Sequence, residues 1–499
     1  MKIYITLLLL IPFLLQGQDG YNIASRQSSS VGQTVKIFST GIEQMQLLKI
    51  SSSKDLVLCN DNMSVGKDEC QEVTGYEKIL DDNLVPIRFV TAKDGRHFML
   101  AYAKRKGEKE LFKVEYDLKS NKLLNSESLG VFDSYKKSNN MHGTLRVLAS
   151  ENDEYFAIVE MMGTGQSITQ VGRVLMNKVL LNSQLEKIYI HQSSHELTIY
   201  PSAALSKKPF VEAYWNQVKA VLTNQGDFYF LQNLFSDFAL VSISSKTQKA
   251  KIQFIEKAEF NRTLPTINYQ CEKGVEFWSV RKERNENEFE IKIHSSQNGE
   301  DLKERTLSIA KSASSEFEID DDDSFFLINT ITKTLIGDTY ISISPTKNYP
   351  LSFTDPYKFK INGLSILKVE DELLIPVYQT RYKTKFVTEG TVQIGTIPFA
   401  WDVECNNKLL FFYADSKAKD YMYKTAFFKV NAIELDGLTG KAKPLSFEVP
   451  KKFKKVSGIY PKIYVNSRRE FVVLEHGDKW SSKKFFLISP ENIQKVYQM

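Results

Sequence analysis

Apolar and polar positions alternate along this chain in one recurring figure. A short apolar run is followed by a polar turn of two to four residues and then by a second, aromatic-rich apolar run. Residues 84–102 read LVPIRFVTAKDGRHFMLAY, residues 145–160 read LRVLASENDEYFAIVE, and residues 218–232 read VKAVLTNQGDFYFLQ. Further copies stand at 266–280, 317–329, 364–378, 400–413 and 459–474, with a weaker one at 45–59. Runs this short predict strands joined as hairpins. Asp94-Gly95, Asn224 to Asp227 and Asn406-Asn407 sit at the turns. Gly, Asn and Asp suit such places because they tolerate positive φ or bond to their own backbone.

A second and more polar hairpin follows many of the first, at 111–129, 239–255, 289–307 and 426–449, the last turning at Asp436-Gly437. Residues 485–497 repeat it once more. Four antiparallel strands per unit, apolar first and polar last, are what a propeller blade requires, because its inner strands are buried between neighbours. Counted from the first aromatic or Leu of each second strand, the steps run from 36 residues (Leu373 to Leu409) to 72 (Phe156 to Phe228). A blade takes about 40–50 residues, so one step is short and others hold loop insertions. Thr34 to Ser39 is expected to pair with the C-terminal unit and close the ring.

The pattern resembles secreted bacterial β-propeller repeat proteins in general, over nearly all of residues 19–499. The resemblance implies an all-β fold, a single propeller of seven or eight four-stranded antiparallel blades, and no particular activity. Neither the Gly-His and Trp-Asp pairs of WD repeats nor the double glycine of kelch repeats is present. An outer-membrane barrel fits less well, since several runs are continuously apolar, not alternating. Tandem β-sandwiches also use many short strands, but the shared two-hairpin unit favours the propeller.

Residues 1–18 change the picture by giving an address. Lys2 precedes an apolar run from Ile3 to Leu15, and Gly17 precedes a polar stretch. This is the pattern of a secretory signal peptide. The run is short of the ~20 residues a membrane span needs. The expected location is therefore the periplasm, the cell surface or the medium, with no transmembrane helix in the mature chain.

Charge excludes one class of partner. The 65 basic and 60 acidic residues are interspersed, for a net charge of +5. Nucleic-acid binders concentrate their basic residues on one face. Lys451, Lys452, Lys454 and Lys455 form the densest basic cluster, and it reads as a solvated loop.

Candidate chemistry is sparse, and no cofactor is expected. The sequence holds no P-loop and no G-x-S-x-G elbow. His195-Glu196 opens like a zinc-protease helix, but Ile199 stands where the second His is needed. His191 and His195 lie four apart in what reads as a loop. Asp320 to Asp323 reads as a solvated acidic turn, because adjacent carboxylates do not converge as calcium demands. No metal site is expected.

Tyr135, Tyr214, Trp215, Arg281, Arg381, Tyr382, Tyr421 and Trp480 fall in the longer connections that share one face of such a propeller. Aromatic residues and Arg dominate recognition surfaces. They define the expected binding site, for a protein or glycan partner, and the leading expectation is a non-catalytic scaffold. The alternatives are a carbohydrate-active enzyme, either a glycoside hydrolase or a lyase with carboxylates at the channel, and a structural subunit of an envelope complex.

Four cysteines remain. Cys59 and Cys70 bracket a polar loop and are expected to form a disulfide, contributing roughly 2–3 kcal/mol by closing a loop of this size. Cys271 and Cys405 occupy equivalent places in units three apart, across the channel of a ring, beyond the ~7 Å a disulfide allows. Peptide mapping without reductant is expected to join Cys59 to Cys70 and to leave Cys271 and Cys405 unlinked. A peptide joining Cys271 to Cys405 would refute the repeat register.

Overall fold

A computed structural model describes residues 21–39, 45–51, 58–62, 70–75, 84–105, 108–132, 143–164, 172–197, 220–233, 237–256, 266–270, 274–282, 289–296, 302–309, 325–334, 336–348, 357–388, 400–405, 408–418, 424–448, 455–457, 462–465, 472–476 and 482–490. All regular structure among them is β. Residues 1–20, Cys271 and Asp320 to Asp323 lie outside the described residues.

Strands β1 (Tyr21–Ser39), β2 (Met45–Ser51), β3 (Leu58–Asn62) and β4 (Cys70–Glu72) come first. Next are β5 (Leu84–Thr91), β6 (His97–Arg105), β7 (Glu108–Asp117) and β8 (Lys122–Phe132), which form a four-stranded antiparallel meander. The same meander recurs in β9 (Gly143–Ala149), β10 (Tyr155–Thr164), β11 (Gly172–Asn182) and β12 (Lys187–Leu197). It recurs again in β13 (Ala220–Leu222), β14 (Phe228–Asn233), β15 (Asp237–Ile243) and β16 (Ala250–Glu256). Strands β17 (Thr266–Gln270), β18 (Gly274–Lys282), β19 (Phe289–Ser296) and β20 (Lys303–Ile309) follow the same order.

The next four are β21 (Phe325–Lys333), β22 (Thr339–Asn348), β23 (Tyr357–Glu370) and β24 (Leu373–Thr388). After them come β25 (Ala400–Cys405), β26 (Lys408–Ala418), β27 (Lys424–Asp436) and β28 (Ala442–Glu448). Short parallel pairings of β24 with β20 and with β26 join three consecutive meanders, together with a short strand at Lys455–Ser457 paired to β27, into one thirteen-stranded sheet. The chain ends with β29 (Lys455–Ser457), β30 (Lys462–Val465), β31 (Val472–His476) and β32 (Ser482–Pro490).

Hydrophobic burial joins each meander to the next, face to face. Phe98, Leu100, Phe132, Val147, Phe156, Ile158, Val179 and Leu181 pack together between β5–β8 and β9–β12. On the other face of the latter sheet, Ala157, Val159, Met176 and Leu180 meet Leu222, Phe228, Phe230 and Val241. Tyr229, Leu240 and Ile255 then meet Val275 and Phe277. Trp278, Ile291 and Ile293 meet Ile341, Ile343 and Leu367. Finally, Tyr340, Leu364 and Ile366 meet Leu409, Phe411, Ile433 and Leu435. Each fully buried side chain of this size contributes about 1.5–3 kcal/mol before the entropy of ordering it. The first strands of successive sheets lie beside one another, from β1 to β5 and onward through β25.

The two ends of the chain meet, but not as the sequence pattern predicts. Tyr21 to Val31 of β1 pairs with β32, while Gly32 to Ser39 of the same strand pairs with β2. Thr34 to Ser39 therefore belongs to the N-terminal hairpin, and the preceding half of the long strand makes the junction. The 36-residue step also has a cause. Residues 364–378 contribute β23 and β24, the second hairpin of their unit, and its first hairpin is β21 with β22. Phe325–Lys333 pairs forward with β22, so the hairpin read at 317–329 is not the pairing β21 makes. Residues 191–197, read from the sequence as the start of a loop, continue the strand β12. The β3–β4 register sets Cys59 opposite Glu72 and Cys70 opposite Asp61, so the two cysteines are diagonal to each other.

Turn chemistry recurs in a form that the repeat reading missed. In the segments from Ala92 to Arg96, Asn182 to Glu186, Thr223 to Asp227 and Thr334 to Asp338, the first amide donates to the fifth carbonyl. The fourth amide donates back to the first carbonyl. The fourth residue takes positive φ: Gly95 at 86°, Leu185 at 63°, Gly226 at 80° and Gly337 at 94°. Thr223 and Thr334 hydroxyls also accept from the Asp227 and Asp338 amides, at 3.0 and 3.1 Å. The signal in sequence is T-x-x-G-D, twice. A Cβ at Gly226 would lie 3.1 Å from the Tyr155 ring and 3.2 Å from Leu180, whereas one at Gly95 would meet nothing within 4 Å. Gly95→Ala should therefore cost about 1–2 kcal/mol, the backbone penalty alone, and Gly226→Ala measurably more. Denaturant midpoints of the two variants would check this.

Candidate active site between two sheets

Strand β10 carries residues of both buried faces. Phe156 and Ile158 point to the β5–β8 sheet, and Ala157 and Val159 point to β13–β16. By that alternation Glu160 follows Ile158 toward β5–β8. It is 2% exposed. A carboxylate in such a place requires partners. Lys109, near the start of β7 in the facing sheet, forms a direct ion pair with Glu160 Oε1. Asn177 lies opposite Glu160 on β11, and its amide donates to Glu160 Oε2 at 3.3 Å.

The cation has a second neighbour. Lys109 Nζ lies 5.8 Å from the centre of the Tyr102 ring, within the range of cation–π attraction. Burial holds the Tyr102 phenol above the usual tyrosine value, so the group stays protonated. The Lys109 side chain is 16% exposed, which makes it the solvent-facing edge of the cluster. The cluster lies toward the end of the sheets where Arg105, Phe132 and Thr164 finish their strands and Glu108, Gly143 and Gly172 begin theirs. It unites a cation, a proton-bearing phenol, a carboxylate and an amide across two sheets.

Other buried polar groups are held near the opposite strand ends. Glu276, 1% exposed, accepts from Trp278 Nε1 at 2.9 Å and pairs with Arg305 at 3.3 Å. Glu434 takes Lys408 at 3.1 Å and Lys443 at 3.5 Å. Lys292 and His294 both reach Glu304, at 3.0 and 3.3 Å. Hydrogen bonding from Lys292, with smaller help from His294, holds the Glu304 carboxyl below its ordinary value.

The predicted binding residues fare differently. Tyr135, Tyr214, Trp215, Tyr421 and Trp480 lie outside the described residues. Arg281 is in strand β18, opposite Glu290. Arg381 and Tyr382 are in strand β24, where Arg381 is exposed and opposite Gly363. These three are thus strand residues and not parts of connections. His191 and His195 sit on β12, opposite Lys178 and Val174. Four residues of strand separate their Cα atoms by about 13 Å, unlike the single helix turn that a shared metal would need. Among the described residues no group of three or more His, Cys, Asp or Glu is placed to hold a metal ion.

Sequence reasoning missed Glu160, Lys109, Asn177 and Tyr102. The available signal was a lone Glu within the apolar run AIVEMM, where a strand buried on both faces has no water to offer it. Lys109→Met would strand this carboxylate without its cation. Unpairing a buried ion in this way costs about 3–5 kcal/mol, and the lower end applies here because Lys109 keeps some exposure. Lys109→Met with Glu160→Gln should recover most of the loss in urea unfolding.

No family model matches the chain, and no curated protein does. Solved structures align with it only at low similarity. The polysaccharide lyase Uly1 is 7% identical over 94% of this chain and 99% of its own, with a TM-score of 0.37. An ulvan lyase solved with a GlcA(1-4)Rha3S unit is 9% identical over 81% of this chain and 93% of its own, with a TM-score of 0.32. An α-L-arabinofuranosidase from Fusarium graminearum is 6% identical over 83% of this chain and 94% of its own, also with a TM-score of 0.32. TM-scores this low carry neither a reaction nor a substrate to this chain. All three are enzymes that act on carbohydrates, the class the sequence offered as its alternative, and the expectation of a non-catalytic scaffold is not carried further.

Proposed function

We propose that this chain is an exported carbohydrate-active enzyme built on an eight-bladed propeller. Three features support the blade count. Six complete meanders run from β5 to β28, β1 to β4 supply a seventh unit, and β30 to β32 with the first half of β1 supply an eighth. Export rests on the pattern of residues 1–18.

The observation that carries the enzymatic reading is the Lys109–Glu160–Asn177–Tyr102 cluster. Cleaving a glycosidic bond requires a proton for the leaving oxygen and stabilisation of charge near the reacting carbons. Tyr102 retains its proton and is the donor in this reading. Lys109 offers the cation, to a substrate carboxylate or a developing oxyanion. Glu160 and Asn177 are positioning residues, fixing Lys109 from the buried side. A cation fixed in advance stabilises charge without reorganising during the reaction.

The test is a panel of neutral and uronic-acid polysaccharides, scored for new reducing ends and for unsaturated products. Unsaturated ends would mark a lyase, and saturated ends a hydrolase. Tyr102→Phe should lower turnover by about 10²-fold or more, the usual contribution of a positioned acid, while leaving the unfolding midpoint nearly unchanged. Absence of cleavage across the panel, or full activity in Tyr102→Phe, would reject this site.

A further inference from the structure

Strand β11 also carries a lysine in an unusual setting. Lys178 is wholly buried, one residue beyond Asn177 and on the opposite face. It points with Met176 and Leu180 toward the β13–β16 sheet. Its Nζ lies 2.9 Å from the Tyr189 hydroxyl and 3.2 Å from the Gly226 carbonyl oxygen. The faces of Tyr189 and Phe228 lie 5.2 and 5.6 Å away. Gly226 and Phe228 belong to the facing sheet, so the amine bridges the two units.

The groups around it are neutral or engaged elsewhere. Tyr189, on β12, is held protonated by burial and by the charge of Asp227. Asp227, in the facing turn, accepts from the Ser245 amide at 2.6 Å. His191 lies opposite Lys178 on β12. Arg146 lies opposite Val159 on β9, and Tyr155 packs against the same cluster from β10. No carboxylate within ion-pair distance of Lys178 is present among the described residues.

We propose that Lys178 is a proton-operated latch between the β9–β12 and β13–β16 sheets, held shut while its amine is neutral and weakened when it takes up a proton. Neutral, the nitrogen accepts the Tyr189 hydroxyl proton in a hydrogen bond and donates to Gly226. Protonated, it places an ammonium between two aromatic faces with a phenol and a carbonyl as its hydrogen-bond partners and no carboxylate to neutralise it, and desolvation opposes that state. Burial brings the Lys178 pKa down to about 7, against a smaller raising effect of Asp227. The opened interface exposes the amine and binds a proton more readily than the closed one. Opening is therefore favoured as pH falls from the ordinary lysine range to about 7, and the effect levels off below that.

Hydrogen exchange of the full chain, corrected for intrinsic rates, is the direct measurement. The opening constant of residues 172–182 and 220–233 should rise by up to about tenfold for each unit of pH lost across that window. Residues 424–436, in a distant sheet, should not follow. Lys178→Met should abolish the pH response, Lys178→Arg should hold the opening constant high at every pH, and His191→Gln should respond like the wild type. A wild-type slope in Lys178→Met, or its transfer to His191→Gln, would overturn the latch. Should Lys178→Met fail to fold, wild-type exchange still decides, because a flat or chain-wide pH response would equally overturn it.

Discussion

The described core follows from one constraint: the sheets β9–β12, β13–β16, β17–β20 and β21–β24 are each covered on both faces by their neighbours. A four-stranded meander alone has too little buried surface to offset the entropy of ordering it. Stacked in series, each sheet supplies the apolar partner that the next requires. The result is a succession of interfaces, from Phe98 and Phe156 through Val159 and Phe230 to Ile366 and Phe411. Stability is then distributed along the chain, as in other repeat architectures where each unit answers mainly to its neighbours.

The same constraint makes polar residues informative. A strand with one wet face can place a charge outward, but β10, β11 and β18 have buried residues on both faces. Glu160, Lys178 and Glu276 must therefore be satisfied across or along an interface, and each is. Lys109 and Asn177 hold the first, Tyr189 and Gly226 the second, and Trp278 and Arg305 the third. Such groups cost stability compared with apolar side chains of similar size. Their retention is the physical reason to look for function there.

Strand β11 links two of these places. Asn177 faces one sheet and reaches Glu160, and Lys178 faces the other and reaches Tyr189. Consecutive residues on a strand point to opposite sides, so one strand holds the proposed reaction centre and the proposed latch back to back.

The hairpin rhythm was legible in the sequence because its causes are local. Apolar runs of strand length and turns such as Ala92 to Arg96 or Thr223 to Asp227 depend on residues close in the chain. Which hairpin pairs with which was less legible. Residues 364–378 resemble a first hairpin because β23 is buried on both faces from Gly363 to Leu367 and the run Leu373 to Val377 opening β24 is apolar throughout, although only Leu374 of that run is buried, so neither strand shows the polar alternation that would mark an outer strand. The proposed active site was not legible at all, since Lys109 and Glu160 are 51 residues apart and meet only across two sheets. Sequence by itself determined that this chain makes short strands, turns and repeated hairpins, each a matter of nearest neighbours. Tertiary structure alone decided the junction of β1 with β32, the grouping into sheets and the company of each buried charge, because those depend on faces that the chain brings together from far apart.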